Sequence, residues 1–120
     1  MTNRGIYTTF NHVVERSVYL SGLFGSLADP VRRDILRRLI HAQYTVSQIA
    51  SKYSISLAAI AKHITVLEKA KLVTKQKRGK EQIVSIVPQA IRDASYYLKQ
   101  YEVLWNNRFE ELDRIFEEEL

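Results

Sequence analysis

Two helix-forming segments separated by a three-residue turn constrain the fold of this chain more than any other feature of its sequence. In the first, TVSQIASKY, Thr45 can cap a short helix, and Gln48 stands at the capping-box spacing. Ser54–Ser56 is expected to form a tight turn, with Ser56 as the N-cap of the next helix. That helix carries apolar residues at spacings of three and four, which predict a buried stripe of Leu57, Ile60, Ile64 and Leu67.

The remaining segments predict a mainly helical domain with a small β-hairpin, because only four glycines and two prolines punctuate the chain. A first helix is expected over about Phe10–Leu27, and Asp29 followed by Pro30 begins a second. After EKAK the apolar period changes from 3.6 to 2, so LVTKQK and QIVSIV predict two strands joined around Gly79. A long helix then follows over Pro88–Glu119. The predicted order is α-α-α-α-β-β-α.

The composition fits a single domain over residues 1–120. Hydrophobic residues make up 46% and charged residues 26%, the balance of an ordinary globular protein. No apolar run approaches the ~18–20 residues that a membrane span needs, and the first residues lack the apolar stretch of a secretory signal. Because there are no cysteines, disulfides, thiolate metal sites and cysteine nucleophiles are excluded. We therefore expect a cytoplasmic protein with no membrane partner.

The charges are segregated along the chain. The net charge is +5, and residues 52–80 hold eight basic residues against one acid. Residues 102–120 hold seven acids against two basic residues. A polyanionic partner would therefore be attracted to the middle of the chain and repelled by its end.

The second helix of the pair has a face suited to a DNA groove. Opposite the apolar stripe lie small residues, then Lys62 and His63, with almost no acids. Small residues permit close approach to a major groove, helix N-terminal amides can hold a phosphate, and the basic hairpin tip can follow the backbone. The predicted contacts with double-stranded DNA are Ser54, Ser56, Ala58, Ala59, Lys62, His63, Lys75, Lys77, Arg78 and Lys80.

Three motifs together resemble the ArsR-type winged helix-turn-helix repressor family: LADPVRRDIL, SLAAIAKHITVLEKAKLV and RGKEQIVSI. The resemblance covers about residues 27–88. It implies a homodimeric, sequence-specific transcriptional repressor that binds an inverted-repeat operator, without enzyme activity. It also implies a helix-turn-helix at 45–70, a wing at 72–87, and dimerisation helices at 10–28 and 89–119.

The sequence departs from the metal-sensing members of that family. Where they carry Cys-Val-Cys this chain has Thr45-Val46-Ser47, and hydroxyls do not replace thiolates for soft metals. Other metal-sensing members of the family use Asp and His pairs on the last helix. The histidines of this chain are His12, His41 and His63, and none of them lies on that helix. We therefore expect no metal and no cofactor, and the effector is unknown.

The last predicted helix carries apolar and aromatic residues along one side over several turns. Such a stripe can cover the domain's own core, but a helix this long overhangs a small core, so a second copy is the better account. The predicted dimer contacts are Val13, Leu20, Phe24, Tyr97, Tyr101, Leu104, Trp105 and Leu112.

Two other functions stay open at this stage. One is a metal- or small-molecule-responsive repressor of the same fold, and the other is a winged helix that binds another protein. His63 has three readings: a surface residue, a phosphate contact or a ligand. Arg32 and Arg33 can solubilise their helix, touch phosphate or pair with acids. No catalytic arrangement is present in the sequence.

Overall fold

A computed structural model describes the backbone of residues 3–119 and the side chains of residues 14–118. Within that part the chain forms five helices and three strands. Their order is α1 (Asn3–Ser26), α2 (Pro30–His41), β1 (Tyr44–Thr45), α3 (Val46–Ala50), α4 (Leu57–Lys69), β2 (Val73–Arg78), β3 (Glu81–Ile86) and α5 (Pro88–Glu119). The predicted winged helix-turn-helix is confirmed, with one strand more than expected.

The three strands form one antiparallel sheet in the order β1-β3-β2. The hairpin pairs from Val73 with Ile86 to Arg78 with Glu81, as the period-2 pattern predicted. Its two-residue turn places Gly79 at φ 65°, a conformation that glycine adopts without a Cβ penalty. The sequence pattern missed β1, because a two-residue strand has no period to detect.

Local capping explains where most helices begin. The Asp29 carboxylate accepts from the amides of Val31 and Arg32 at 2.8 and 3.1 Å, and Thr45 forms the predicted capping box with Gln48.

The start of α1 was predicted wrongly: it begins at Asn3 rather than near Phe10. No proline lies in the intervening segment, and extending an existing helix costs far less than nucleating one.

The end of α4 leads directly into the wing. The amides of Lys71 and Leu72 donate to the carbonyls of Glu68 and Leu67, both at 3.0 Å, the pattern of a Schellman motif. Lys71 takes the left-handed position at φ 63°. This sharp reversal brings Leu72 and Val73 back under α4, where both are buried.

The core lies between α2, α3, α4 and the sheet, with α1 and the start of α5 against it. Its fully buried large side chains are Leu23, Ile35, Ile49, Ile60, Ile64, Leu67, Leu72, Val73 and Val84. Leu57 was predicted to join this core, but its side chain is 55% exposed. It is the first residue of α4, so it lies beyond the layer that covers the rest of the stripe.

Candidate nucleic-acid interface

A carboxylate on α2 connects that helix to the turn that follows the short helix α3. Asp34 Oδ2 accepts from the Tyr53 hydroxyl at 2.5 Å and from Arg38 Nε at 3.0 Å, and Asp34 Oδ1 accepts from Arg37 Nη2 at 2.7 Å. The hydrogen bond from Tyr53, followed by that from Arg37, holds the pKa of Asp34 well below its ordinary value. The Arg38 guanidinium also lies 5.5 Å from the centre of the Tyr53 ring. This cluster fixes the segment that leads into α4.

His63 connects α4 to the junction between α1 and α2. Its Nδ1 lies 3.3 Å from Arg32 Nη1 and 3.9 Å from Asp29 Oδ1, and its side chain is only 20% exposed. Arg32 Nε also donates to the carbonyl of Ser26 at 2.6 Å, at the C-terminal end of α1. The imidazole therefore faces α2, whereas the sequence predicted it on the DNA-facing side of α4.

The arginines of α2 have local partners. Arg33 Nη1 donates to the carbonyl of Leu27 at 2.9 Å, so Arg32 and Arg33 both satisfy carbonyls that the end of α1 leaves without helical partners. The backbone amide of Arg32, the largest influence on Asp29, lowers the pKa of that carboxyl. Among the side chains that the structure describes, neither Arg32 nor Arg33 forms an ion pair with a carboxylate, one of the alternatives left open by the sequence. Arg37 and Arg38 both pair with Asp34.

The open face of α4 carries small and basic side chains. Ala58, Ala61, Lys62 and Lys69 are exposed, while Ala59 is half-buried. Leu57 is also exposed, beside Ala61 and the wing residues Lys75 and Lys80, and the sequence did not predict its exposure because its spacing matched the buried stripe.

The turn before α4 contributes two serines that were predicted to contact DNA. Ser54 and Ser56 are exposed, and the Ser56 hydroxyl accepts from the Ala59 amide at 3.1 Å as the predicted N-cap. The Ser56 hydroxyl therefore has a structural role that any phosphate contact would share.

The wing holds its basic residues in two different settings. Lys77, Arg78 and Lys80 are exposed around the turn of the hairpin. Lys75 is half-buried, and its Nζ lies 3.4 Å from Glu68 Oε1 on α4. The hairpin tip is thus a basic projection, whereas Lys75 ties its base to α4.

The predicted dimer residues on α1 differ in how far their own chain buries them. Leu20 is 8% exposed, so its own chain already buries most of the side chain, and its part in a dimer contact stays a prediction. Phe24 is half-buried against Tyr97, with ring centroids 5.7 Å apart. Val13 lies outside the side chains that the structure describes. α1 and α5 leave an open groove of about 450 Å³ beside Leu20, Phe24 and Tyr97.

The outer half of α5 exposes a row of apolar side chains. Tyr101 is 47% exposed, Leu104 66%, Trp105 58% and Leu112 36%. Trp105 and Phe109 stack on each other with centroids 5.8 Å apart, in contact with each other rather than with the core. The radius of gyration is 20.1 Å, whereas a compact domain of this size has about 14 Å.

The described residues contain neither a metal-binding cluster nor a membrane-spanning helix. No three His, Asp or Glu side chains there lie close enough to hold a metal ion together. The Thr45 hydroxyl accepts from the Gln48 amide at 3.1 Å. None of the helices from residue 3 to residue 119 has an apolar stretch able to cross a bilayer.

Comparison with known proteins agrees with this architecture. Residues 27–76 match the sequence model of a helix-turn-helix domain family. The transcriptional repressor SdpR of Bacillus subtilis is 24% identical over 82 residues, covering 68% of this chain and 91% of SdpR.

Solved structures agree as well. The crystal structure of an ArsR family transcriptional regulator is 32% identical, with a TM-score of 0.70, over 73% of this chain and 97% of that one. The homodimeric winged helix-turn-helix DNA-binding domain Mb0332 of Mycobacterium bovis has the same fold at 20% identity and a TM-score of 0.60, over 78% of this chain and 83% of that domain. The chain belongs to the ArsR family of DNA-binding helix-turn-helix transcriptional regulators.

Proposed function

We propose that the chain acts as a homodimeric repressor, without cysteine-based metal sensing, that binds an inverted-repeat operator in the cytoplasm. The observation that carries the proposal is the open face of α4. It presents Ala58, Ala61 and Lys62 with no exposed acid, next to a basic hairpin tip. An α-helix with a small-residue entry turn fits a major groove, and flanking lysines neutralise phosphates.

The proposal of a homodimer rests on the surfaces of α1 and α5. The exposed row on α5 is too long and too aromatic to be left in water, and the similar domain from M. bovis is described as homodimeric. A C2 dimer through these helices would present two α4 helices to two half-sites about one DNA turn apart, which matches an inverted repeat. Repression is favoured because the relative SdpR is a repressor.

The proposal is tested by selecting bound fragments from genomic and random DNA with the purified full chain. We expect one palindromic site, bound much more tightly than unrelated DNA at the same salt concentration. A chain that selects no sequence at any salt concentration is not a sequence-specific regulator.

Replacing Lys62 with alanine should weaken binding to the selected operator by about tenfold to a hundredfold, because the exposed ammonium sits where a base edge or phosphate is reached. Fluorescence anisotropy with labelled operator measures the change. Lys99→Ala is the matched control, since Lys99 is an exposed lysine on α5 away from the interface. Equal affinities for the Lys62→Ala and Lys99→Ala chains would contradict the assignment.

Replacing Lys77 and Arg78 together by alanine should weaken binding to the operator and binding to unrelated DNA by the same factor. Both side chains are exposed at the hairpin tip, so we assign them to phosphates rather than bases. The slope of log affinity against log salt should fall by about two, one for each lost contact. A loss confined to the operator, with an unchanged salt slope, would instead indicate base readout by the wing.

A further inference from the structure

Leu57 has an unexpected position for a large apolar residue. It is the first residue of α4 and is 55% exposed, and Ile55 in the preceding turn is 41% exposed. Single exposed leucines are common on protein surfaces, so exposure alone assigns no role. However, Leu57 is not part of the apolar row of α5: it is the first residue of α4, the helix that the proposed function places in the major groove.

The hydroxyl and imidazole groups of α4 and its N-cap are already engaged within the chain. The Ser56 hydroxyl accepts from the Ala59 amide at 3.1 Å, and the Thr65 hydroxyl donates to the Ala61 carbonyl at 3.0 Å. The His63 ring faces Arg32 on α2. Within residues 57–65, all of which the structure describes, Lys62 is left as the exposed side chain with a charged donor. The other exposed side chains at the start of α4 are apolar: Leu57 and Ala58 in the first turn and Ala61 in the second.

The major groove has one apolar group that distinguishes base pairs, the C5-methyl of thymine. The other edges present donors and acceptors, and covering them with a leucine would leave them without partners at a cost in affinity. We infer that the first turn of α4 reads thymine C5-methyl groups, with Leu57 as the principal contact. The inference rests on the proposed function and predicts one feature of the operator sequence: each half-site carries thymine where α4 enters the groove.

Deoxyuridine provides the test, because it removes the methyl group and keeps the pairing edge. Each thymine of the selected half-site is replaced in turn by deoxyuridine, and the affinity of the wild-type chain is measured by anisotropy. At one or two positions we expect the affinity to fall about fourfold per methyl group, which corresponds to the free energy of burying one carbon. Elsewhere the replacement should change nothing.

The Leu57→Ala chain identifies the side chain responsible. It should bind the thymine operator about as weakly as the wild type binds the uracil operator, and it should no longer distinguish the two. Because Leu57 is exposed, its thermal unfolding should match the wild type. Ile40→Ala is the matched control: Ile40 is 65% exposed on α2, and its removal should leave the thymine preference intact.

Three results overturn the inference while leaving the proposed function in place. They are a selected half-site without thymine, equal wild-type affinity for thymine and uracil at every position, and a Leu57→Ala chain that still discriminates fully. The failure of the proposed function looks different, since no sequence would then be selected. The deoxyuridine series uses the wild-type chain, so it decides the question whether or not any variant folds.

Discussion

A chain carrying Leu104→Glu should be monomeric and should bind operator DNA about a hundredfold or more weakly than the wild type, because linking two half-site contacts contributes roughly that factor. Leu104 is 66% exposed near the middle of the apolar row on α5. In a symmetric dimer one substitution introduces two carboxylates into the buried surface, and each must be desolvated without a partner. Glu110 and Glu111 further along the helix would add repulsion.

Asn107→Glu is the matched control for this substitution. It adds the same charge to the same helix, and helical spacing places Asn107 on the side opposite the apolar row. Light scattering after size exclusion and operator anisotropy should show a normal dimer with normal affinity for this chain. If Leu104→Glu remains dimeric, the outer half of α5 is not the dimer surface. If it becomes monomeric yet keeps full affinity, one α4 is enough for binding.

Features set by a few neighbouring residues were predictable from the sequence. Asp29 and Ser56 cap their helices as predicted, because an N-cap needs only a short polar side chain and the amides two or three residues ahead. The hairpin was predictable too, because alternation and a glycine turn act within one short segment.

Features set by distant segments were not predictable. Leu57 has the spacing of a core residue, but whether a stripe residue is buried depends on how far the covering elements extend along α4. His63 lies on the same helix as Lys62, yet its ring faces α2, because Arg32 and Asp29 come to that side only in the folded chain. β1 exists only because β3 offers a free edge beside Tyr44 and Thr45.

Removing the Asp34 carboxylate should destabilise the fold more than removing the Tyr53 hydroxyl that it binds. Asp34 accepts hydrogen bonds from Tyr53, Arg37 and Arg38, and so connects α2 to the turn that follows α3. Asp34→Ala should lower the free energy of unfolding by about 2 kcal/mol, since two of these partners are charged and Tyr53 loses its acceptor. Tyr53→Phe is the matched variant that removes only the hydroxyl and should cost about 1 kcal/mol. Urea unfolding followed by circular dichroism measures both.

The Asp34 carboxylate should also make the stability of the folded chain depend on pH. Hydrogen bonds from Tyr53 and Arg37 lower the pKa of Asp34 in the folded state, so the folded chain holds its proton less tightly than the unfolded chain does. The stabilisation is therefore fully present above the unfolded pKa of about 3.9, and it is lost as the pH falls through the lower folded value. The stability difference between wild type and Asp34→Ala should be constant above about pH 5 and should shrink below about pH 4.

Comparing the two chains isolates Asp34 from the other carboxylates. Asp29 and Asp93 also have lowered pKa values, mainly through hydrogen bonds from the Arg32 amide and the Gln89 side chain. Because both remain in the variant, their contributions cancel in the difference. A difference in unfolding free energy that stays the same down to pH 2, or that grows as acid is added, would show that the charge of Asp34 does not stabilise the link between α2 and α3.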